Sequence, residues 1–145
     1  MVHFTLSSLV LSMETLHHCV YDLNYHLVLV TQSRRRVLTA AMLERFGSLA
    51  AERCAAWGGT LVACNGAPDH VHLLFKLPPT RALSEFVNAL KTGTSRRLRS
   101  EFSDEVNRWY KKPVLWSRSY CVTSAGGAPL EVLKRYIDDQ AGALT

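Results

Sequence analysis

The stretch HVHLLFKL at residues 70–77 constrains the fold more than any other part of the chain. Its valine, leucines and phenylalanine favour extended backbone, and Pro78 and Pro79 follow directly, so we predict a β-strand that ends there. Because side chains alternate along a strand, His70 and His72 project from one face and the apolar residues between them from the other. The sequence therefore predicts a sheet with an apolar core face and two imidazoles on the opposite face.

The same patterns predict the remaining elements and their order. Strands are expected at 21–31, 60–66, 70–77 and 120–124, and helices at 40–57 with Thr39 as the cap, from 83 or 84 to about 102, and from 130 to about 141. Residues 103–119 are expected to be mostly loop. The order β-α-β-β-α-β-α predicts an α/β (α+β) fold, a ferredoxin-like plait with an antiparallel sheet, helices on one face and an extra C-terminal helix.

Length and composition fit one folded unit. The chain has 145 residues, 48% of them hydrophobic and 20% charged, which is enough for a core of ordinary size. We expect a poorly ordered extension at 1–20, with translation starting at Met1 or Met13, and a single domain at 21–145. The four cysteines show no CxxC spacing, which favours reduced thiols over a disulfide or zinc framework. No apolar run reaches the length of a membrane span and no signal peptide is recognisable, so a cytoplasmic protein without a membrane partner is expected.

Basic residues are in excess and cluster along the chain. Seventeen Lys and Arg stand against 12 Asp and Glu, for a formal charge of +5. Such an excess attracts polyanions, although solubility alone also accounts for a modest charge. Lys111 and Lys112 adjoin Trp109 and Tyr110, and aromatic rings beside cations suit unpaired bases and phosphates. The clustering favours nucleic acid, and the predicted binding residues are Arg34, Arg35, Arg36, Lys91, Arg96, Arg97 and Arg99.

Two pairs of residues have a spacing that places both side chains on one face of their element. The imidazoles of His70 and His72, about 7 Å apart along a strand, can converge on one divalent metal, although two half-buried structural histidines give the same pattern. Tyr136 and Gln140 are four residues apart and share one face of the last predicted helix. Spacing alone favours a packing role for that tyrosine and a solvated glutamine.

Five segments taken together resemble a known family. They read YHLVLVTQSRRRVL, PDHVHLLFKLPP, LKTGTSRRLRSEF, LWSRSYCVTSAGG and VLKRYIDDQ. In this order they resemble the single-tyrosine HUH transposases of the smallest bacterial insertion sequences, over residues 21–140. The resemblance implies that His70 and His72 bind a divalent metal ion, that Gln140 completes the metal site, and that Tyr136 is the catalytic nucleophile.

The resemblance also implies the reaction and the partners. It implies cleavage and rejoining of single-stranded DNA through a 5′-phosphotyrosine intermediate, near subterminal hairpins. It further implies a homodimer in which the tyrosine helix of one subunit serves the histidines of the other. An oxygen ligand beside two imidazoles favours Mg²⁺ or Mn²⁺ as the metal. Two alternatives stay open, namely a replication- or mobilisation-type HUH nickase and a non-catalytic, hairpin-binding relic of a transposase.

Overall fold

The computed structural model describes residues 14–16, 19–124 and 138–139. In this part of the chain, a short β-hairpin precedes a sheet of four longer strands and three helices. The elements are β1 (Glu14–Leu16), β2 (Cys19–Tyr21), β3 (Asn24–Thr31), α1 (Ala40–Ala56), β4 (Thr60–Ala67), β5 (His70–Lys76), α2 (Leu83–Glu101), α3 (Ser103–Trp109) and β6 (Trp116–Ser124). None of the helices described is both long and apolar enough to cross a membrane.

The four longer strands form one antiparallel sheet in the order β4-β5-β3-β6. Counted along the chain these strands are the second, third, first and fourth, so β3 and β5 lie at the centre. The helix α1 connects β3 to β4, and α2 lies between β5 and β6. This is the ferredoxin-like arrangement, and the prediction of an antiparallel plait is confirmed.

The main hydrophobic core lies between the sheet and the helices α1 and α2. Phe46, Phe75 and Phe86 come from α1, β5 and α2 respectively, and all three are completely buried. The rings of Phe75 and Phe86 lie 5.0 Å apart between their centroids. On the central strands, the alternating residues Leu27, Leu29, Val71 and Leu73 complete this face. The helices therefore cover one face of the sheet, and the residues in between, including both histidines of β5, lie on the opposite face.

The ends of α1 agree with the predicted cap. The Thr39 hydroxyl oxygen accepts a hydrogen bond from the Met42 amide at 3.2 Å, as an N-cap residue does. After the helix, Gly58 has a φ of 79°, the left-handed conformation that glycine adopts without strain. The short turn to β4 thus fixes where the edge strand begins.

Several boundaries differ from those predicted. The segment 103–119 contains α3 and the start of β6, because Val106 and Trp116 are anchored in the core. The predicted strand 21–31 is divided after Tyr21, where the Asn24 side-chain amide donates to the Asp22 carboxylate at 2.8 Å. Within the expected extension 1–20, the described residues 14–16 and 19–20 lie in the antiparallel pair β1–β2. The predicted last helix, 130–141, lies outside the described residues except for 138–139, which are helical.

Candidate functional site

The two histidines of β5 stand side by side on the face of the central sheet that is opposite to α1 and α2. His70 pairs with Val30 of β3, and His72 pairs with Val28. Their ring centroids are 6.4 Å apart and the rings are inclined by 26° to each other. This agrees with the separation expected from strand geometry. Since β5 has hydrogen-bonded neighbours on both sides, it holds the two rings on a rigid backbone.

The carboxylate of Asp69 orients the ring of His70. The Nδ1 atom of His70 lies 2.8 Å from Oδ1 of Asp69. Burial would raise the pKa of the Asp69 carboxyl, but hydrogen bonds with His70 and Arg34 outweigh burial and hold its pKa below its usual range. An ionised carboxylate only accepts hydrogen bonds, so Nδ1 of His70 carries the proton. In the neutral ring, the lone pair for a ligand is therefore on Nε2.

Arg34 holds the other oxygen of the same carboxylate. Its Nε atom donates to Oδ2 of Asp69 at 2.6 Å, and both side chains are largely buried, with 20% and 14% exposed. Arg34 ends a 3-10 turn, and Ser33 and Arg34 have φ values of 56° and 50°. Such left-handed conformations are costly outside glycine and asparagine, so the surrounding contacts must hold this turn.

Hydrogen bonds fasten that turn to both neighbouring segments. The Thr31 amide donates to the carbonyl of Asp69 at 3.0 Å, and the Gln32 amide donates to the carbonyl of Leu115 at 2.8 Å. The Tyr110 hydroxyl donates to the carbonyl of Gln32 at 2.7 Å. The turn therefore has a fixed position beside the start of β5.

His72 has a different environment from His70. Its side chain reaches solvent, yet the loss of hydration over the rest of the ring lowers its pKa. Positive charge on His70 or His26 would lower that pKa further. At neutral pH His72 therefore has a free lone pair. His26 lies on the same sheet face, since it pairs with Leu74 of β5 and Thr123 of β6.

Two imidazoles on one face form a donor set that fits a divalent metal. Among the described residues, no cluster of three His, Cys, Asp or Glu side chains adds a complete metal site. The predicted third ligand, Gln140, and the predicted nucleophile, Tyr136, lie outside the described residues. Their places relative to the histidine pair stay predictions.

The seven predicted DNA-binding residues fall into three groups. Arg34, Arg35 and Arg36 lie on the turn beside Asp69. Lys91, Arg96 and Arg99 line one groove between α2 and residues 113–116, where the Lys91 ammonium donates to the carbonyl of Arg118 at 2.9 Å. Burial lowers the pKa of that Lys91 ammonium.

Arg97 lies apart from those two groups. It forms an ion pair with Glu101 at 3.0 Å and lines a groove between α1 and α2. The structure thus brings together six of the seven residues in two places, and separates Arg97 from them.

Comparison with known proteins identifies relatives for nearly the whole chain. The profile of the family described as "Transposase IS200 like" matches residues 19–140. The ISDra2 transposase TnpA of Deinococcus radiodurans is 29% identical over 121 residues, which are 83% of this chain and 86% of the relative. The transposase for insertion sequence element IS200 of Salmonella typhimurium is 26% identical over 113 residues, 78% of this chain and 74% of the relative.

A solved structure agrees with these relatives. It is the crystal structure, at 1.90 Å resolution, of a Deinococcus radiodurans R1 protein described as a transposase. It superimposes with a TM-score of 0.80 at 32% sequence identity, and covers 88% of this chain and 98% of that one. The fold and the sequence therefore indicate the same family.

Proposed function

The chain belongs to the IS200-like transposase family, and we propose that it cleaves and rejoins single-stranded DNA at insertion-sequence ends through a covalent tyrosine ester. The observation that carries this proposal is the pair of histidines on β5, one of them oriented by Asp69. Phosphoryl transfer depends on positioned groups that offset the charge of the reacting phosphate. An oriented imidazole pair on a rigid strand meets that requirement.

His70, His72 and Gln140 would hold Mg²⁺ or Mn²⁺. When bound, the ion supplies positive charge that offsets the negative charge developing on the scissile phosphate. The chain's own residues prepare this site in advance. Asp69 fixes the proton of His70 on Nδ1, and the lowered pKa of His72 keeps its ring neutral. His72 therefore offers a nitrogen lone pair without first losing a proton, and the hydrogen bond to Asp69 leaves Nε2 of His70 as the atom available to a ligand.

Tyr136 is the proposed nucleophile. Its phenolic oxygen forms a bond to the phosphorus as the phenol loses its proton, and the bond from phosphorus to the 3′ oxygen breaks. The 3′ oxygen takes up a proton and leaves as a hydroxyl, and the 5′-phosphate remains on the tyrosine. Because one ester replaces another, a second 3′-hydroxyl can attack the tyrosine ester and join new ends without an external energy source.

The first experiment tests three points together: whether Tyr136 is the nucleophile, which side of the cleaved DNA stays on the protein, and whether a metal ion is required. Wild-type protein and a Tyr136→Phe variant are incubated with single-stranded DNA from the ends of the protein's own element, labelled at either end, with Mn²⁺ or EDTA. We expect an SDS-resistant adduct that carries the 3′ label, and a released 5′-labelled fragment with an extendable 3′-hydroxyl. Tyr136→Phe and EDTA should each abolish the adduct.

The controls separate chemistry from folding and binding. Tyr25→Phe removes a hydroxyl from the helix-covered face, where Tyr25 packs on Phe75, and should leave the adduct unchanged. A combined His70→Ala and His72→Ala variant should lose the adduct but keep its helical circular dichroism. Tight hairpin binding by wild-type protein without any adduct would instead identify a non-catalytic DNA-binding protein.

A further inference from the structure

Trp109 is the most exposed of the three tryptophans. It is 41% exposed, whereas Trp116 is 7% exposed and its indole nitrogen donates to the Thr94 hydroxyl at 2.9 Å. Trp57 packs edge-on against Phe86 in the core. A large aromatic ring exposed to solvent loses the free energy of burial, and such rings commonly mark binding surfaces.

The contacts around Trp109 hold the backbone that carries its indole in a fixed position. Trp109 is the last residue of α3, and the neighbouring Val106 and Tyr110 are both buried. The amide of Tyr110 donates to the carbonyl of Val106 at 3.0 Å, and its hydroxyl donates to the carbonyl of Gln32 at 2.7 Å. The segment that carries the ring is therefore tied both to the core and to the basic turn.

Two open cavities are lined by this ring and a third adjoins the second of them, and we call the three the basic track. The first, of about 440 Å³, lies between Trp109 and residues 33–36. The second, of about 220 Å³, shares Trp109 and Arg35 with the first and adds Lys111 and Lys112. The third, of about 260 Å³, shares Val114 with the second. The cationic residues of the track are Arg34, Arg35, Arg36, Lys111, Lys112, Lys91, Arg96 and Arg99.

The charged residues that line the track are all cationic, and one of them, Arg34, is linked through Asp69 to the histidine pair. Among the described residues that line the three cavities, none is an aspartate or glutamate. Arg34, at one end of the track, forms the ion pair with Asp69, which in turn holds His70. The Arg34 end of the track is therefore the end nearest in contacts to the candidate metal centre.

We propose that the basic track binds the single-stranded DNA that flanks the cleaved phosphate, with one unpaired base stacked on Trp109. The identity of that strand rests on the proposed function, whereas the binding chemistry rests on the track itself. Each base has a flat π face that an indole accepts, so stacking tolerates different sequences. Arg35, Arg36, Lys111 and Lys112 flank the ring at places where the backbone phosphates of the same strand would lie. A base inside a duplex is already stacked on its neighbours, so the site should select unpaired DNA.

The test measures binding without chemistry. Tyr136→Phe protein in EDTA is titrated into a fluorescent oligothymidylate, and Trp109→Leu and Trp109→Phe are added to that background. Leucine keeps apolar volume but loses the flat face, so we expect about 5- to 100-fold weaker binding, the range for one stacked base. Phenylalanine should restore most of the affinity. Val62→Ala, which trims another exposed apolar residue, should have no effect.

The salt dependence of the binding constant separates the contribution of the Trp109 ring from that of the cationic side chains. Arg36→Ala should reduce the slope of log K against log salt by about 0.7, the value for one phosphate contact on a single strand. Trp109→Leu should weaken binding without changing that slope. Arg81→Ala, an exposed arginine outside the track, is the charge-matched control and should change neither quantity.

An abasic scan identifies the base that stacks on the ring. One abasic position in the oligonucleotide should weaken binding by the parent protein as much as Trp109→Leu does, and should add nothing in the Trp109→Leu protein. Unchanged affinity in Trp109→Leu, or an equal loss on blunt duplex, would overturn the proposal. If the wild-type protein forms the covalent adduct but Trp109→Leu binds DNA as tightly as its parent, only the proposal for the basic track is wrong. If Trp109→Leu weakens binding but no adduct forms, only the proposed transposase chemistry is wrong.

Discussion

Asp69 links its neighbour His70 to Arg34, which lies 35 residues earlier in the chain. Its carboxylate bonds His70 through one oxygen and Arg34 through the other, so it joins the candidate metal centre to the basic turn. A histidine that binds a metal commonly donates its other ring proton to such a carboxylate, which fixes the ring's orientation and raises its basicity. Asp69 is thus a positioning residue for His70.

Removing this carboxylate should weaken metal binding without unfolding the protein. We expect Asp69→Ala to reduce the affinity for Mn²⁺ about 10- to 100-fold, because the ring of His70 loses its orientation. Isothermal titration calorimetry on the Tyr136→Phe background measures this separately from catalysis. Asp22→Asn is the control, since Asp22 forms an exposed ion pair with Lys76 and should leave the affinity unchanged. Equal affinities for Asp69→Ala and its parent would mean that the strand alone positions His70.

The sequence predicted the histidine pair and the neighbouring Asp69 as an acceptor for an imidazole, but not the contact of Arg34 with that carboxylate. Alternation along a strand places His70 and His72 on one face whatever the rest of the fold, and their ring centroids lie 6.4 Å apart. The contact between Arg34 and Asp69 depends instead on the pairing of β3 with β5. That pairing brings the end of one strand beside the start of the other. No local pattern encodes it.

Among the elements, the long periodic ones were predicted and the short ones were not. The helix α2 runs from Leu83 to Glu101, close to the prediction, because a full stripe of apolar residues specifies it. The helix α3 has only Val106 buried, so it leaves no periodic signal, although Asp104 and Glu105 in its first turn are typical of a helix N-terminus. Its stability comes from tertiary contacts, which a single sequence does not display.

The turn between α1 and β4 depends on Gly59 for a reason that the helix-ending pattern Gly58-Gly59 does not reveal. A Cβ on Gly59 would collide with the backbone carbonyl of Lys76, which cannot move without breaking the register of β4 with β5. Gly59→Ala should therefore lower the free energy of unfolding by about 1–3 kcal/mol, the range for overpacking that forces a backbone shift. Urea denaturation followed by circular dichroism measures the change.

Gly47→Ala is the matched substitution inside the helix α1. A Cβ there meets no atom within 4 Å, so the same change should raise the free energy of unfolding by about 0.5–1 kcal/mol through helix propensity. Opposite signs for the two variants would confirm that the close approach to Lys76, and not glycine flexibility, matters at position 59. A neutral Gly59→Ala would contradict the tight turn.

At the scale of the whole molecule, the two faces of the sheet have separate roles. One face carries the core under α1 and α2, which accounts for the stability of the domain. The other carries His70 and His72, and Asp69 links His70 to Arg34 of the basic track. Substitutions in the site therefore leave the main core intact. This separation makes inactive but folded variants available for mixing experiments.

Such variants test the homodimer with shared sites that the resemblance implies. Tyr136→Phe protein lacks the proposed nucleophile, and the His70→Ala, His72→Ala protein lacks the metal ligands, so neither should form an adduct alone. If the tyrosine of one subunit serves the histidines of the other, a mixed dimer contains one complete site. Random exchange of subunits should then restore about a quarter of the wild-type adduct, since half of the dimers are mixed and each has one of two sites intact.

The mixture is measured by the same SDS-resistant adduct, after the two proteins are unfolded and refolded together to exchange subunits. A size tag on one variant shows which chain carries the DNA, and we expect the adduct on the chain with the altered histidines. Light scattering on each variant first establishes that both form dimers. If both variants are dimeric and exchange subunits, but the mixture stays inactive, the nucleophile and the histidines act within one chain. Monomeric variants would rule out the shared-site dimer altogether.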